Sequence, residues 1–226
     1  HGMIKNISNL GDAALYCDFG IEVSKEINST VIRYFKNLKK KDIPGIINLT
    51  PSYNKLIVSF DLRKVSFTKV KKIVENLDIS EIPSEISKKI EIPVCCNDLF
   101  SLDIKRLEEK LSLNREKIYE NFFGKEYFCY MTGFIAGMPF LGDLDKSMRV
   151  NRLKTPRVKV PKGSVGLTEQ FTNIYTFESP GGWNIIGNTP LEIFDSSKID
   201  DPNLISPGDT VTFKQISLED HKKYNE

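Results

Sequence analysis

Histidine is almost missing from this chain. Two of its 226 residues are histidine, and one of them, His1, opens the sequence as His1-Gly2-Met3, the pattern of a protease scar ahead of a native Met3. The other, His221, falls in the polar tail LEDHKKYNE. A histidine-based triad, a histidine-rich metal site and a histidine acid/base pair are thereby close to excluded. An excess of one charge is missing too. The 32 Lys+Arg are balanced by 30 Asp+Glu, whereas a dedicated nucleic-acid binder carries a strong basic surplus, so no nucleic-acid partner is expected. The longest uncharged run, residues 127–142 (YFCYMTGFIAGMPFLG), is too short to span a bilayer and contains three glycines and a proline. No signal peptide follows Met3, because MIKNISNLGDAAL has neither a basic start nor a long apolar stretch. The expectation is a cytoplasmic protein with no membrane partner. Cys17, Cys95, Cys96 and Cys129 fit that compartment as inert thiols. The adjacent pair Cys95 and Cys96 points apart on an extended chain and is a poor clamp for one metal, so no metal site is expected.

What is present divides in two. The length allows one large or two small domains. MIKNIS and AALYCDF read as two short strands around Leu10-Gly11-Asp12. A helix is predicted over about 22–40, where Ile27, Val31, Phe35 and Leu38 make one apolar face. Lys36, Lys39, Lys40 and Lys41 suit its C-terminal dipole end. IINLT and NKLIVSF flank Pro51-Ser52-Tyr53 as a hairpin. A second helix, about 66–77, is capped by Ser66 and stacks Phe67, Val70, Val74 and Leu77. KIEIPV is read as the last strand of a β-β-α-β-β-α-β order, an α+β sandwich. The polar stretch 79–87 serves as a connector, and the domain boundaries are set at 3–88 and 89–226. Beyond it two helices are predicted, about 101–111 and 114–122, the second capped by Asn114. The rest carries most of the glycines and prolines. VKVPKGSVGL, NIYTF, WNIIGN and DTVTFKQI are short strand signals of a compact, mainly-β barrel or sandwich.

Several motifs have two readings. Lysine outnumbers arginine 25 to 7, yet Arg149, Arg152 and Arg157 fall within nine residues. They are either a solvated basic edge or an anion clamp, since a guanidinium fork pairs with two oxygens. Ser179-Pro180-Gly181-Gly182-Trp183 is either a hairpin turn delivering Trp183 to the core or a ligand rim with exposed backbone N–H groups. The glycine-spaced segment 133–142 lacks the lysine–serine ending of a phosphate loop and reads as a buried crossing or a pocket wall. In Arg157-Val158-Lys159-Val160 the valines share one strand face and the charges the other. Ser206-Pro207-Gly208-Asp209 is a turn. No nucleophile stands out, and Asp143, Asp145, Glu169, Glu178 and Asp195 form no paired motif. The catalytic residues are therefore unknown from sequence.

In order, the motifs are GDAAL at 11–15, GF-x-x-G-x-P-x-LG at 133–142, TPR-x-x-VP-x-GSV at 155–165, IY at 174–175, ESPGGW-x-x-IG-x-TP at 178–190, FD at 194–195 and PGD at 207–209. Together they resemble the family of the 5-oxoprolinase B subunit, the sporulation-kinase inhibitor KipI and allophanate hydrolase subunit 1, also found as carboxyltransferase subdomains C and D. The resemblance implies an α+β N-terminal lobe and a cyclophilin-like β-barrel. It implies one subunit of an ATP-dependent 5-oxoprolinase, opening 5-oxoproline to glutamate. Its partners there would be the homologous C and the separate A subunits. ATP would be used at the level of the complex, with no covalently bound cofactor. A histidine kinase is the partner implied by the alternative, KipI-type binding role. A substrate or partner groove would be formed by Arg152, Arg157, Ser164, Tyr175, Ser179, Pro180, Gly181, Gly182 and Trp183, with the two arginines as anion contacts.

The departures are polar. A family histidine aligns with Phe122, and the family PRR becomes Asn151-Arg152-Leu153. AGxQTGIYP becomes Thr168-Glu169-Gln170-Phe171-Thr172-Asn173-Ile174-Tyr175-Thr176, and GRTP becomes Gly187-Asn188-Thr189-Pro190. A histidine, a glutamine and two arginines are thus replaced at Phe122, Phe171, Leu153 and Asn188. The expectation is a stripped polar site on a kept fold.

Overall fold

A computed structural model of the chain describes residues 4–80, 87–133 and 135–226. His1, Gly2 and Met3, read above as a scar and a native start, Phe134 and most of the 79–87 connector lie outside the described residues. The chain divides into two compact units, residues 1–86 and 87–226.

The first unit is an antiparallel sheet with two helices on one face. Its strands are β1 (Asn6–Asn9), β2 (Ala14–Asp18), β3 (Ile46–Pro51) and β4 (Lys55–Phe60), in the order β1-β2-β4-β3. Helix α1 (Lys25–Lys41) starts where the Ser24 hydroxyl accepts the Ile27 N–H at 3.2 Å. Helix α2 (Phe67–Glu75) starts where Ser66 accepts the Lys69 N–H at 3.2 Å. Leu15 and Cys17 of β2 and Leu56, Val58 and Phe60 of β4 point to one side by strand alternation. They share a core with Val31, Tyr34 and Leu38 of α1 and with Val70 and Val74 of α2, so both helices cover that side. Buried Asn28 ties α1 to the β3–β4 turn, its Nδ2 donating to the Ser52 and Tyr53 carbonyls at 3.1 and 3.2 Å.

The second unit is built on a closed seven-stranded barrel. Its strands are β5 (Lys89–Cys95), β6 (Glu126–Thr132), β7 (Pro139–Gly142), β9 (Ser164–Thr168), β10 (Phe171–Ile174), β12 (Asn184–Asn188) and β13 (Thr210–Ile216), in the order β10-β7-β6-β13-β5-β12-β9. KIEIPV is therefore not the last strand of the first sheet. It is β5, and it pairs in parallel with β13 over seven residues, from Lys89↔Thr210 to Cys95↔Ile216. Its alternating apolar side, Ile92 and Val94, belongs to the barrel core. The Ser206-Pro207-Gly208-Asp209 turn also does more than reverse the chain. Buried Asp209 accepts the Lys88 and Ser206 N–H groups at 3.0 and 2.8 Å and so ties the start of β5 to the start of β13.

Helices α3 (Ile104–Leu111) and α4 (Arg115–Phe123) pack Leu107, Ile118 and Phe122 into the same core. Asn114 caps α4 as expected, accepting the Lys117 N–H at 2.8 Å. A two-stranded ribbon, β8 (Arg157–Val160) with β11 (Ser179–Gly181), stands apart from the barrel ladder. The face that Val158 and Val160 share is covered at one end only: Val160 is fully buried and Val158 is 80% exposed. The last helix, α5 (Leu218–Lys223), starts at Ser217, whose hydroxyl accepts the Asp220 N–H at 3.1 Å.

Candidate functional site

The site follows from the register of four barrel strands. On β10, Thr172 lies opposite Leu141 and Leu167, which belong to the barrel core, so this row faces inward. The next row, Phe140, Asn173, Gly166 and Ile185, therefore faces outward. Gly166 is the gap in it. A Cβ there would lie 2.7 Å from Asn173 Oδ1 and 2.8 Å from Trp183 Cβ. With no side chain in the way, Trp183 folds over the row and stacks on Phe140, ring centroids 5.7 Å apart and planes 7° apart. Phe140, Met138 and Asn173 are buried, and Trp183 is half-buried.

Tyr175 sits beside this stack, 2% exposed. Its hydroxyl occupies the space a side chain at Gly181 would need, which fixes glycine at that position. Burial raises the phenol's pKa. The Trp183 backbone N–H, the Asn173 side chain and the nearby charges of Arg152 and Arg157 pull it back in part. The group is a neutral phenol at pH 7. Asn173 is turned so that its Nδ2 reaches Met138 Sδ at 3.6 Å. Its Oδ1 and the Ser179 Oγ are buried and meet no hydrogen-bond partner among the described residues. An orphaned buried polar atom costs about 1–3 kcal/mol.

The two candidate arginines have different fates. Arg152 is exposed and lies over Gly182, whose carbonyl accepts the Leu153 N–H at 2.8 Å. Arg157 is already engaged. Its two terminal nitrogens fork the Asp103 carboxylate at 2.6 and 2.7 Å, and Asp103 raises its pKa further. Asp103 is 6% exposed and accepts the Ile185 N–H at 2.6 Å as well. The pair therefore fastens the ribbon strand β8 to barrel strand β12, and the charged outer face read for β8 is left to Lys159.

Ser164 is buried at the start of β9, and its carbonyl accepts the Tyr175 N–H at 2.9 Å. Ser179, Pro180 and Gly181 form β11 rather than a hairpin turn, with Ser179 opposite Val160 and Gly181 opposite Arg157. Trp183, Tyr175, Gly181, Gly182 and Arg152 are thus brought together, whereas Ser164 and Arg157 support them from below.

The four positions where the family motif is more polar are not one site. Phe122 is a core residue stacked on Phe213 at 4.8 Å. Phe171 lies edge-on to Tyr130 at 5.5 Å. Leu153 is joined to Gly182 through its backbone, and Asn188 is paired with His221. That last contact corrects the reading of the tail. His221 is 9% exposed, its ring lies against Phe100 with centroids 4.6 Å apart, and its Nε2 is 2.8 Å from Asn188 Oδ1. Asn188 Nδ2 donates to the Lys162 carbonyl at 2.9 Å, so Asn188 must accept and His221 Nε2 must donate. Burial lowers the pKa of His221 and keeps it neutral.

Sequence reasoning does not find Asp103, Asn173 or His221, and it reaches Phe140 only as part of the 133–142 segment read as a buried crossing or a pocket wall. Asp103 has a signal, a lone acid at a helix start. It does not cap α3 through its side chain, which leaves it free for Arg157. Among the described residues no three His, Cys, Asp or Glu side chains gather as a metal site. All four cysteines are free and buried, and burial pushes the thiols of Cys17 and Cys96 up to about 12. Among the described residues, no helix is long and apolar enough to cross a membrane.

Residues 5–205 match the family described as the carboxyltransferase domain, subdomain C and D. The B subunit of 5-oxoprolinase from Bacillus subtilis is 34% identical, over 97% of this chain and 96% of that protein. The B subunit of 5-oxoprolinase from Haemophilus influenzae is 31% identical, over 95% of this chain and 99% of that protein. Among solved structures, that of TTHA0988 superposes with a TM-score of 0.82 at 28% identity over 90% of this chain, which spans 40% of that chain's length.

Proposed function

We propose that this chain, which belongs to the family of the carboxyltransferase domain, subdomain C and D, is the non-autonomous B subunit of an ATP-dependent amidohydrolase. The reaction is the opening of the 5-oxoproline lactam to glutamate, carried out together with the homologous C and the separate A subunits. The observation that carries this reading is the match to the Bacillus subtilis protein over nearly the whole of both chains. The geometry of the outer barrel face supports it. 5-Oxoproline is a small flat ring bearing one carboxylate. Exposed Arg152 offers a guanidinium fork for the carboxylate. Half-buried Trp183, backed by the Phe140 ring it stacks on, offers a flat apolar surface for the ring. Tyr175, a buried neutral phenol packed against Gly181, holds the SPGGW segment in place beside that surface. ATP is a substrate at the level of the complex. The free buried thiols suit the reducing cytoplasm.

The test is reconstitution. Co-purified with its C-type and A-type partners, the chain should release glutamate from 5-oxoproline only with ATP. Arg152→Ala should lower kcat/KM at least about tenfold, chiefly through KM, without unfolding the chain. Unchanged kinetics would remove Arg152 from the site. A second reading is favoured by one observation: Arg157, the other candidate anion contact, is spent on Asp103. In that reading the barrel is a KipI-type binding domain for a histidine kinase. A stable complex of the subunits that never turns over 5-oxoproline would select it.

A further inference from the structure

A second unpaired arginine stands near the one already assigned. Arg106, on α3, is half-buried, and its Nε donates to Asn184 Oδ1 at 3.0 Å. Asn184 is fully buried, and its Nδ2 donates to the Asn151 and Leu167 carbonyls, both at 3.0 Å. The Arg106 guanidinium is therefore anchored at one nitrogen, which leaves its two terminal nitrogens as an oriented fork. Among the described residues that fork meets no hydrogen-bond acceptor and no carboxylate. Asp103, at the start of the same helix, is spent, since its oxygens accept from Arg157 and from the Ile185 N–H.

Arg152 lies on the other side of Trp183 along the chain. Its Nε and one terminal nitrogen are 3.4 and 3.5 Å from where a Cβ on Gly182 would stand. It too forms no hydrogen bond or ion pair through its side chain among the described residues. Gly182 and Asn184 are the two chain neighbours of Trp183, and two residues of extended chain span at most about 7 Å. Asn151, whose carbonyl Asn184 holds, directly precedes Arg152. Two guanidinium groups are thus brought to one short stretch of backbone with no counter-charge of their own. Their repulsion is relieved by an anion. One fork satisfies one carboxylate, so two forks call for a ligand with two anionic groups.

We infer that Arg106 and Arg152 form a two-anion site in which Arg106 is the specificity-determining residue for a phosphoryl group on the ligand. Resting on the reading above, Arg152 takes the carboxylate of 5-oxoproline, and Arg106 takes the phosphoryl group that ATP places on the lactam oxygen. In that transfer the lactam oxygen bonds to the γ-phosphorus and the bond from phosphorus to the bridging oxygen breaks. ADP leaves with that electron pair, and the ring nitrogen keeps its proton as a cationic imidate. The carboxylate-bearing carbon and the carbonyl carbon both flank that nitrogen. The two anionic groups therefore project from the same edge of the ring, one for each arginine. The anchor at Nε means that little side-chain freedom is lost when Arg106 binds.

The test is calorimetry on the assembled complex, so that turnover is not required. Three ligands are compared: 5-oxoproline, 4-phosphonobutanoate, and glutarate, which carries a second carboxylate in place of the phosphonate. The wild-type complex should bind 4-phosphonobutanoate at least about tenfold more tightly than glutarate. Arg106→Gln should cut that preference to within about twofold and leave 5-oxoproline binding within about twofold of wild type. Arg106→Lys, which keeps the charge without the fork, should fall between the two, and near-UV circular dichroism checks that both variants are folded. A preference that is absent in the wild type, or unchanged in Arg106→Gln, overturns the inference and leaves the 5-oxoprolinase reading standing. Equal weakening of all three ligands in Arg106→Gln also overturns it, since Arg106 would then only support Asn184. Failure of a correctly assembled complex to bind 5-oxoproline at all defeats both readings, a result distinct from the others.

Discussion

The two units solve the same packing problem with different materials. Among the described residues the first unit buries one polar side chain, Asn28, under its helices, and the rest of its core is aliphatic, aromatic or a thiol. The second unit buries Asp103, Asn173, Asn184, Asn188, Asp209 and His221 among others, most of them hydrogen-bonded across strands. An apolar core is stable however its details vary, but a buried polar network is stable only while every member keeps its partner. The first unit is thus tolerant, and the second is particular.

This contrast can be broken most sharply at Asp103. Asp103→Ala would leave Arg157 without its carboxylate and the Ile185 N–H without an acceptor. The expected loss is about 3–5 kcal/mol, confined to the second unit in a denaturant melt followed by residue-resolved amide exchange. A loss shared by the first unit would show that the two do not unfold separately. In the first unit, Val58→Ala removes two buried methyl groups and opens a small cavity. The expected cost is roughly 2 kcal/mol, with the sheet otherwise unchanged in its amide spectrum. The smallest effect is electrostatic. Burial holds the pKa of His221 below its ordinary value near 6.5, so the folded chain binds that proton less readily than the unfolded chain. The contribution of neutral His221 is complete above about pH 6.5 and falls away as the pH drops below it. The second unit should melt lower at about pH 5 than at about pH 7.5 for this reason. His221→Gln, which keeps a donor for Asn188 but does not titrate, should flatten that part of the slope. An identical slope in the variant would assign the acid sensitivity to other groups.

How far the sequence can be read follows the same division. The helices of the first unit are legible because apolar residues at three- and four-residue spacing and serine caps are local signals. Ser24 and Ser66 do what their positions suggest. KIEIPV is misassigned to the first unit because a strand's own residues do not name its neighbour. Its partner β13 lies far along the chain, and alternation is the same in either sheet. The candidate site is legible as a set of glycines, arginines and aromatics, but not as an arrangement. Nothing local says that Arg157 reaches Asp103 while Arg152 stays free, since the two differ by five residues and not in chemistry. Asn173 is hidden inside a strand that reads as ordinary core, and Phe140 inside a glycine-spaced segment that reads equally as a buried crossing or a pocket wall. Only the register that puts them in one row with Gly166 shows which face they share. His221 looks like tail because a six-residue helix has too little periodicity to announce what it covers.

The parallel seam between β5 and β13 has a consequence in time. Its two sides leave the ribosome about 120 residues apart, which at roughly 5–20 residues per second is on the order of ten seconds. Until β13 arrives the barrel can be no more than an open sheet with two bare margins, and Ile92 and Val94 have no cover from the closing strand. The first unit, whose contacts are all made by then, has no such wait. A chaperone or an early-binding partner would find its opportunity on the second unit, during the gap before the last strand arrives.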